Sequence, residues 1–149
     1  MSKLSAILSF VAVSLLVALS AQANAAPARP PEAANAAEAD APDPTVLRAL
    51  QAGLAGSFDK YLAELLPDRC ETPEQKSQLQ RYEWKRFSTQ SAWYVADPKQ
   101  PTFTVVKRQA QGEGKVKLFI KDLKNKDAMP RPIELVKKAG RWFISSNSL

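Results

Sequence analysis

Residues 115–123 read KVKLFIKDL, and this stretch sets the class of fold because apolar and charged residues alternate along it. Side chains two residues apart lie on the same face of an extended strand. One face then carries Val116, Leu118 and Ile120, and the other carries Lys115, Lys117 and Lys121. This alternation predicts an antiparallel strand with one face in a core and the other in solvent.

The two-residue pattern extends to both sides of that stretch. Further strands are predicted at 92–95, 102–109, 131–136 and 141–145. Glycine-containing turns are predicted at 112–114 and 137–140. Pro130 and Pro132 cannot donate ladder hydrogen bonds, so the 131–136 strand is expected to begin at a sheet edge or a bulge. An antiparallel meander of about four strands follows.

Helical periodicity precedes the strands. From Thr45 onward, apolar residues recur every three or four positions, which predicts one helix of about six turns that Pro67 ends. These residues are Leu47, Leu50, Leu54, Phe58, Tyr61, Leu62 and Leu65. Gly53 and Gly56 lie within the stripe, where they weaken the helix and permit close packing against another element.

A second helix is expected to begin at Thr72, because Pro73 suits the first helical position and Gln75 completes a capping box. Its expected core-facing residues are Leu79, Tyr82 and Phe87. Its end is expected between 83 and 87. The chain is therefore predicted to be α+β, with two N-terminal helices packed on a curved antiparallel sheet of about four strands.

The closing segments resemble a known superfold. The stretches GKVKLFIKDL at 114–123 and RPIELVKKAGRWFISSNSL at 131–149 are similar to the last strands of cystatin-like, nuclear-transport-factor-like domains, the SnoaL and ketosteroid-isomerase superfold found in exported bacterial proteins. The resemblance covers residues 100–147 and implies a cavity between helices and sheet that holds ligands. The chain is short for that fold, shows no third helix after the first strand, and matches no catalytic residue of it.

The N-terminus has the three parts of a secretory signal peptide. Lys3 supplies a positive start, an apolar run covers 4–19, and the small residues at 21–25 fit the A-x-A cleavage pattern. Residues 1–25 are therefore expected to be a cleaved signal peptide, and the mature protein periplasmic or secreted, meeting the membrane only in transit. The alternative is a retained anchor, for which about 16 apolar residues is a short span.

Residues 26–44 are rich in Ala and Pro and contain no aromatic or large aliphatic side chain. Such a segment buries too little apolar surface to offset the entropy cost of ordering, so it is predicted to be a disordered tether. A single folded α+β domain is expected over 45–149.

The residue types that the chain lacks restrict its chemistry. It has no histidine, which excludes Ser-His-Asp and Cys-His nucleophile systems and argues against a zinc site. Its one cysteine, Cys70, permits no intrachain disulfide and is read as a buried apolar group, with an intermolecular bridge or a reactive thiol as alternatives. No catalytic residue, metal ligand or cofactor is predicted.

Positive charge is concentrated in the second half of the chain, where residues 81–149 contain 15 basic and six acidic residues. A candidate anion-binding face consists of Lys115, Lys117, Lys121, Lys137 and Arg141. Clustered cations near tryptophan suit an anionic partner. Lysines that alternate with apolar residues are equally typical of a solvated sheet face, so both interpretations stay open on sequence alone.

Aromatic residues supply a second candidate site, a pocket between helix and sheet lined by Trp93, Tyr94 and Trp142. Because strand neighbours point to opposite faces, one member of each aromatic pair is expected in the core, and core packing is the alternative to a pocket. Asp122 and Asp127 are interpreted as turn residues.

These features predict a noncatalytic binding or accessory domain of the bacterial cell envelope, present as a monomer or homodimer. Its expected partner is an envelope protein or an anionic ligand, with nucleic acid disfavoured. Two alternatives are a polyanion-binding protein that uses the lysine-rich sheet face, and a small SnoaL-like enzyme with a buried Asp or Tyr in a helix–sheet cavity.

Overall fold

The structure, a computed structural model, describes residues 41–149, so the predicted signal peptide and residues 26–40 of the predicted tether lie outside the described residues. The described part is α+β, as predicted, with helical segments before a four-stranded antiparallel sheet. The α-helices are α1 (Asp43–Leu54), α2 (Phe58–Leu62), α3 (Pro73–Gln78) and α4 (Lys85–Gln90). A π-helical segment, Leu79–Trp84, joins α3 to α4, and 3-10 turns occupy Pro67–Arg69 and Ser91–Trp93.

The sheet is a meander in the order β1-β2-β3-β4, as the predicted turns require. Its strands are β1 (Val105–Ala110), β2 (Lys115–Ile120), β3 (Arg131–Lys138) and β4 (Arg141–Asn147). One face forms the core together with the helices, and its fully buried residues are Leu118, Ile120, Ile133, Leu135 and Ile144. The alternation predicted for the 115–123 stretch is confirmed.

The prediction of one six-turn N-terminal helix is wrong. The chain turns after α1 at Gly56, whose φ of 65° is readily adopted only by a residue without a β-carbon, and α2 begins two residues later. The apolar stripe is nevertheless buried on both sides of the turn, at Leu50 in α1 and Tyr61 in α2. Helix α1 also begins at Asp43, inside the last residues of the predicted tether.

The second helical segment begins at the predicted capping box, in which Thr72 and Gln75 exchange side-chain and backbone hydrogen bonds. It continues to Gln90, beyond the predicted end. Tyr82 does not face the core but is 74% exposed. In an α-helix it would share the face of Leu79, three residues earlier, but the wider π turn brings Trp84 against the core instead.

The strand predicted at 92–95 is absent from the described structure, and the prediction is wrong. Ser91 continues the helical course of α4, since its hydroxyl donates to the Phe87 carbonyl at 2.7 Å and its own carbonyl accepts from the Tyr94 amide. Tyr94 and Val95 are buried in the core from this turn. The aromatic and β-branched residues at 93–95 favour a strand, but the 3-10 turn at Ser91–Trp93 packs against α1, and this packing outweighs that preference.

The two edges of the sheet differ. The backbone of residues 64–66 covers the outer edge of β4, where the Ile144 amide donates to the Glu64 carbonyl at 2.8 Å and the Leu66 amide to the Ile144 carbonyl at 2.9 Å. Strand β1 is the uncovered edge, and a bulge follows Val105. The entry to β3 does not lie at a sheet edge, because β3 is an inner strand, but the β3–β4 pairing has a register irregularity between Glu134 and Leu135, shortly after Pro132. The Pro132 carbonyl accepts from the Ser148 amide, which lies beyond the end of β4. The backbone nitrogen of Pro132 points to the same side, so the N–H that proline lacks would have had no partner within β4.

Candidate functional site: the outer face of the sheet

The side of the sheet opposite the helices, called here the outer face, consists of three cross-strand rows. The first row is Lys107, Phe119 and Pro132. The second is Gln109, Lys117 and Glu134. The third is Lys115, Val136 and Phe143. Strict alternation along β2 and β3 places all of these opposite the buried core residues.

Cations lie beside both aromatic rings of the outer face. The Lys107 ammonium lies 5.8 Å from the centre of the Phe119 ring, and the Arg141 guanidinium lies 5.0 Å from that of Phe143. These are distances at which a ring face attracts a cation. Lys117 forms an ion pair with Glu134 at 2.7 Å, so the central row is electrically neutral.

Two other lysines of these rows, Lys107 and Lys115, give the outer face its net charge, together with Lys121, which continues the alternation of β2 directly after its last residue. Lys107, Lys115 and Lys121 are exposed, and within residues 41–149 none of the three forms an ion pair. Between them lie apolar side chains that are only partly buried: Phe119, Pro132, Val136 and Phe143. None of these four belongs to the core cluster or packs against it. The outer face therefore combines free positive charge with accessible apolar surface.

The structure brings together only part of the predicted anion-binding set. Lys115 and Lys117 lie on the outer face, and Lys121 directly follows β2. Lys137 alternates with Ile133 and Leu135, on the core side of β3, and its ammonium lies 6.0 Å from the Trp142 ring. Arg141 reaches around the β4 edge, where its guanidinium donates to the Ala63 carbonyl at 3.1 Å.

The three residues of the predicted pocket are not brought together. Tyr94 is fully buried, and burial, reinforced by the nearby Asp122 carboxylate, raises the pKa of its hydroxyl. Trp93 lines a surface cleft beside α4, whereas Trp142 lines a different cleft near the beginning of α1. The helix–sheet interface between them is filled by core side chains.

Sequence reasoning missed a hydrogen-bonded cluster around Glu83. Its carboxylate accepts from the Tyr61 hydroxyl at 2.6 Å, from the Arg69 guanidinium at 2.5 Å and from the Asn147 amide at 2.8 Å. Burial and the Glu83 charge raise the pKa of Tyr61 far above its ordinary value. The cluster joins α2, the π segment and β4 through one carboxylate, and among the described residues the buried Arg69 Nη1 and Asn147 Oδ1 have no hydrogen-bond partner. No sequence motif could reveal it, because its members are up to 86 residues apart.

The structure also places Asp122 and Cys70, which the sequence analysis discussed individually. The Asp122 carboxylate accepts the backbone amides of Lys124 and Asn125 at 2.8 and 2.9 Å, which confirms it as a turn residue. Cys70 is half-buried, and its thiol lies 3.5 Å from the Pro67 carbonyl, at the junction between α2 and α3.

Comparison with known proteins assigns neither a family nor a function, since no family model, curated protein or solved structure matches the chain. In the part of the chain that the structure describes, no group of three or more Cys, Asp or Glu residues is arranged to hold a metal ion. Over the same residues, no helix combines the length and the apolar composition needed to cross a bilayer.

Proposed function

We propose that this chain is a noncatalytic binding domain of the cell envelope that binds an acidic polymer on the outer face of its sheet. The observation that supports the proposal is the exposure of this face: no described element covers it, although it carries free lysines and accessible Phe119 and Phe143 rings. Clustered cations raise the local concentration of an anionic partner, and the partly desolvated rings add contact area.

The spacing of the lysines indicates an extended ligand. Lys115 begins β2 and Lys121 directly follows it. The two residues are six positions apart along an extended chain, so their Cα atoms are separated by about 20 Å. Lys107 lies on the neighbouring strand, level with Phe119. A single small anion cannot contact all three ammonium groups, whereas repeated charges along a polymer can.

The competing interpretation is a solvated sheet face, in which the lysines only protect the open β1 edge from aggregation. The two interpretations differ in a measurable respect. A binding face depends on which lysines are present, whereas general attraction to a polyanion depends only on net charge.

The experiment is salt elution from a heparin column, with heparin as the acidic polymer. The variant K107Q/K115Q/K121Q should elute at clearly lower salt than the wild type. The matched control K60Q/K76Q/K99Q removes the same charge from exposed positions elsewhere and should elute close to the wild type. Equal shifts for both variants would contradict the proposal, because they would show that only net charge matters.

Location in the envelope is a separate part of the proposal and rests on the N-terminal sequence alone. The intact mass of the protein recovered from an envelope fraction tests it. Loss of the first 23 or 25 residues is expected, and the full-length mass would instead support a retained anchor.

We also propose that the domain belongs to the cystatin-like superfold, supported by the sequence of its closing strands and by helices that precede an antiparallel meander. The SnoaL-like enzyme is the weaker candidate. It needs an acid or tyrosine open to a helix–sheet cavity, and Tyr61 and Tyr94 are both fully buried.

A further inference from the structure

We infer that a second site, the cleft between Tyr82 and Trp93 beside α4, binds a carboxylated sugar residue. The cleft is shallow and open to solvent, with a volume of about 340 Å³. It is lined by Tyr82, Lys85, Arg86, Thr89, Gln90 and Trp93. None of these residues belongs to the outer face, so the inference does not depend on the function proposed above.

The exposure of Tyr82 follows from the π-helical segment. In a continuous α-helix, Tyr82 would lie near Leu79 and be drawn toward the core. The π turn gives that place to Trp84, which packs against Tyr61 at a centroid distance of 5.2 Å, and it leaves Tyr82 74% exposed. π-Helical turns are frequent at functional sites, and here the turn presents an aromatic ring to solvent at the mouth of a cleft.

The charge of the cleft is positive and unneutralised. Lys85 and Arg86 are exposed, no lining residue is acidic, and neither cation forms an ion pair among residues 41–149. A third cation, Lys124, lies 4.5 Å from the centre of the Trp93 ring.

The number of open rings distinguishes a sugar from a nucleic acid. Trp93 is half-buried and Lys124 lies over one of its faces, whereas Tyr82 is the largely exposed ring of the cleft, against which the apolar face of a ligand can pack. Single-stranded nucleic acid is held by several rings on which successive bases stack. A sugar ring needs one platform, a hydrogen-bonding partner for its hydroxyls such as the Gln90 amide, and a cation for its carboxylate; the Thr89 hydroxyl already donates to the Lys85 carbonyl and can only accept.

The experiment measures the binding of fluorescently labelled trigalacturonate to the purified protein by anisotropy. Y82A and K85Q/R86Q should each weaken binding about tenfold, because one removes the ring and the other the charge. The matched control K60Q/K76Q changes two exposed lysines outside the cleft and should bind like the wild type. All substituted side chains are exposed, and far-ultraviolet circular dichroism confirms folding.

Three results would overturn the inference: undiminished binding by both cleft variants, binding of neutral maltotriose as tight as that of trigalacturonate, or tighter binding of a dT6 oligonucleotide that Y82A abolishes. The last would identify the cleft as a nucleotide site. The outer-face variant K107Q/K115Q/K121Q should retain trigalacturonate binding even where heparin affinity is lost, so the two proposals fail separately.

Discussion

Gly53 in α1 lies directly against Ser91 at the end of α4, so that a β-carbon on Gly53 would lie 2.0 Å from the Ser91 hydroxyl oxygen. Ser91 is fully buried, and its hydroxyl is held by the Phe87 carbonyl, so it has no room to move aside. The close packing against another element that the sequence indicated for Gly53 is thereby confirmed, and that element is the end of α4.

We expect the variant G53A to lower the free energy of unfolding by about 2 kcal/mol, because overpacking outweighs the gain of roughly 1 kcal/mol that alanine brings to a helix. Urea unfolding measures the change. In the double variant G53A/S91G the clash is removed, so the loss should be smaller than the sum of the single losses. Q51A, on the exposed side of α1, serves as the control. An unchanged or higher stability of G53A would contradict the packing described.

The features that local sequence determines were predictable, and those that tertiary packing determines were not. The alternation along β2 and the capping box at Thr72 depend on neighbours within a few residues. The π segment depends on Trp84 packing against Phe58 at 5.6 Å, across 26 residues of chain, and no local pattern contains that contact. The prediction for Lys137 was wrong in two respects: β3 continues through Lys138, so Lys137 is not in the turn, and its alternation with Ile133 and Leu135 places it on the core side instead of the anion-binding face.

The candidate sites divide in the same way. Strand alternation is enough to place Lys115 and Lys117 on the outer face. The cleft beside α4 requires Tyr82 to be exposed, which helical periodicity contradicts, and Trp93 to leave a strand that its β-propensity favours. Both departures follow from packing against α1 and α2, and only the structure reveals them.

Stability should fall as the pH rises above about 10, the ordinary pKa of tyrosine. The folded-state pKa of Tyr61 is raised, chiefly by burial, so above pH 10 the unfolded chain releases a proton that the folded chain retains. Between pH 10 and the raised folded-state pKa, each buried tyrosine lowers the free energy of unfolding by about 1.4 kcal/mol per pH unit. Below pH 10 it contributes no pH dependence. Urea unfolding from pH 8 to 11 measures the decrease.

Variants assign that decrease to particular tyrosines. Y61F should flatten the pH dependence, and Y61F/Y94F should flatten it further, since burial also raises the pKa of Tyr94. At pH 7, Y61F should cost about 1–2 kcal/mol because the Glu83 carboxylate and the Asn147 amide each lose a partner. A pH dependence that is identical in all three proteins would show that neither hydroxyl is held as described.

Removing Arg48 should cost more stability than neutralising its partner Glu64. The Glu64 side chain is 7% exposed, and its carboxylate accepts from the Arg48 guanidinium at 2.9 and 3.0 Å and from Arg141 at 3.1 Å. R48M leaves a buried carboxylate with one cation, for an expected loss of about 2–3 kcal/mol. E64Q leaves two half-exposed arginines that water can solvate, for an expected loss of about 1 kcal/mol. Urea unfolding at pH 7 ranks the two, and the reverse order would contradict the argument.

The turn between β3 and β4 offers a stabilising substitution. Ala139 has a φ of 51° and Gly140 a φ of 78°, the pair of positive values that a two-residue type I′ hairpin turn requires. Alanine is strained in this region by about 1 kcal/mol, whereas asparagine tolerates it. A139N should therefore raise the free energy of unfolding by about 0.5–1 kcal/mol, and G140A should lower it by a similar amount, because it introduces at position 140 the strain that A139N relieves at 139. Thermal and urea unfolding of both variants test the pair, and shifts of the same sign would show that the turn adopts another conformation.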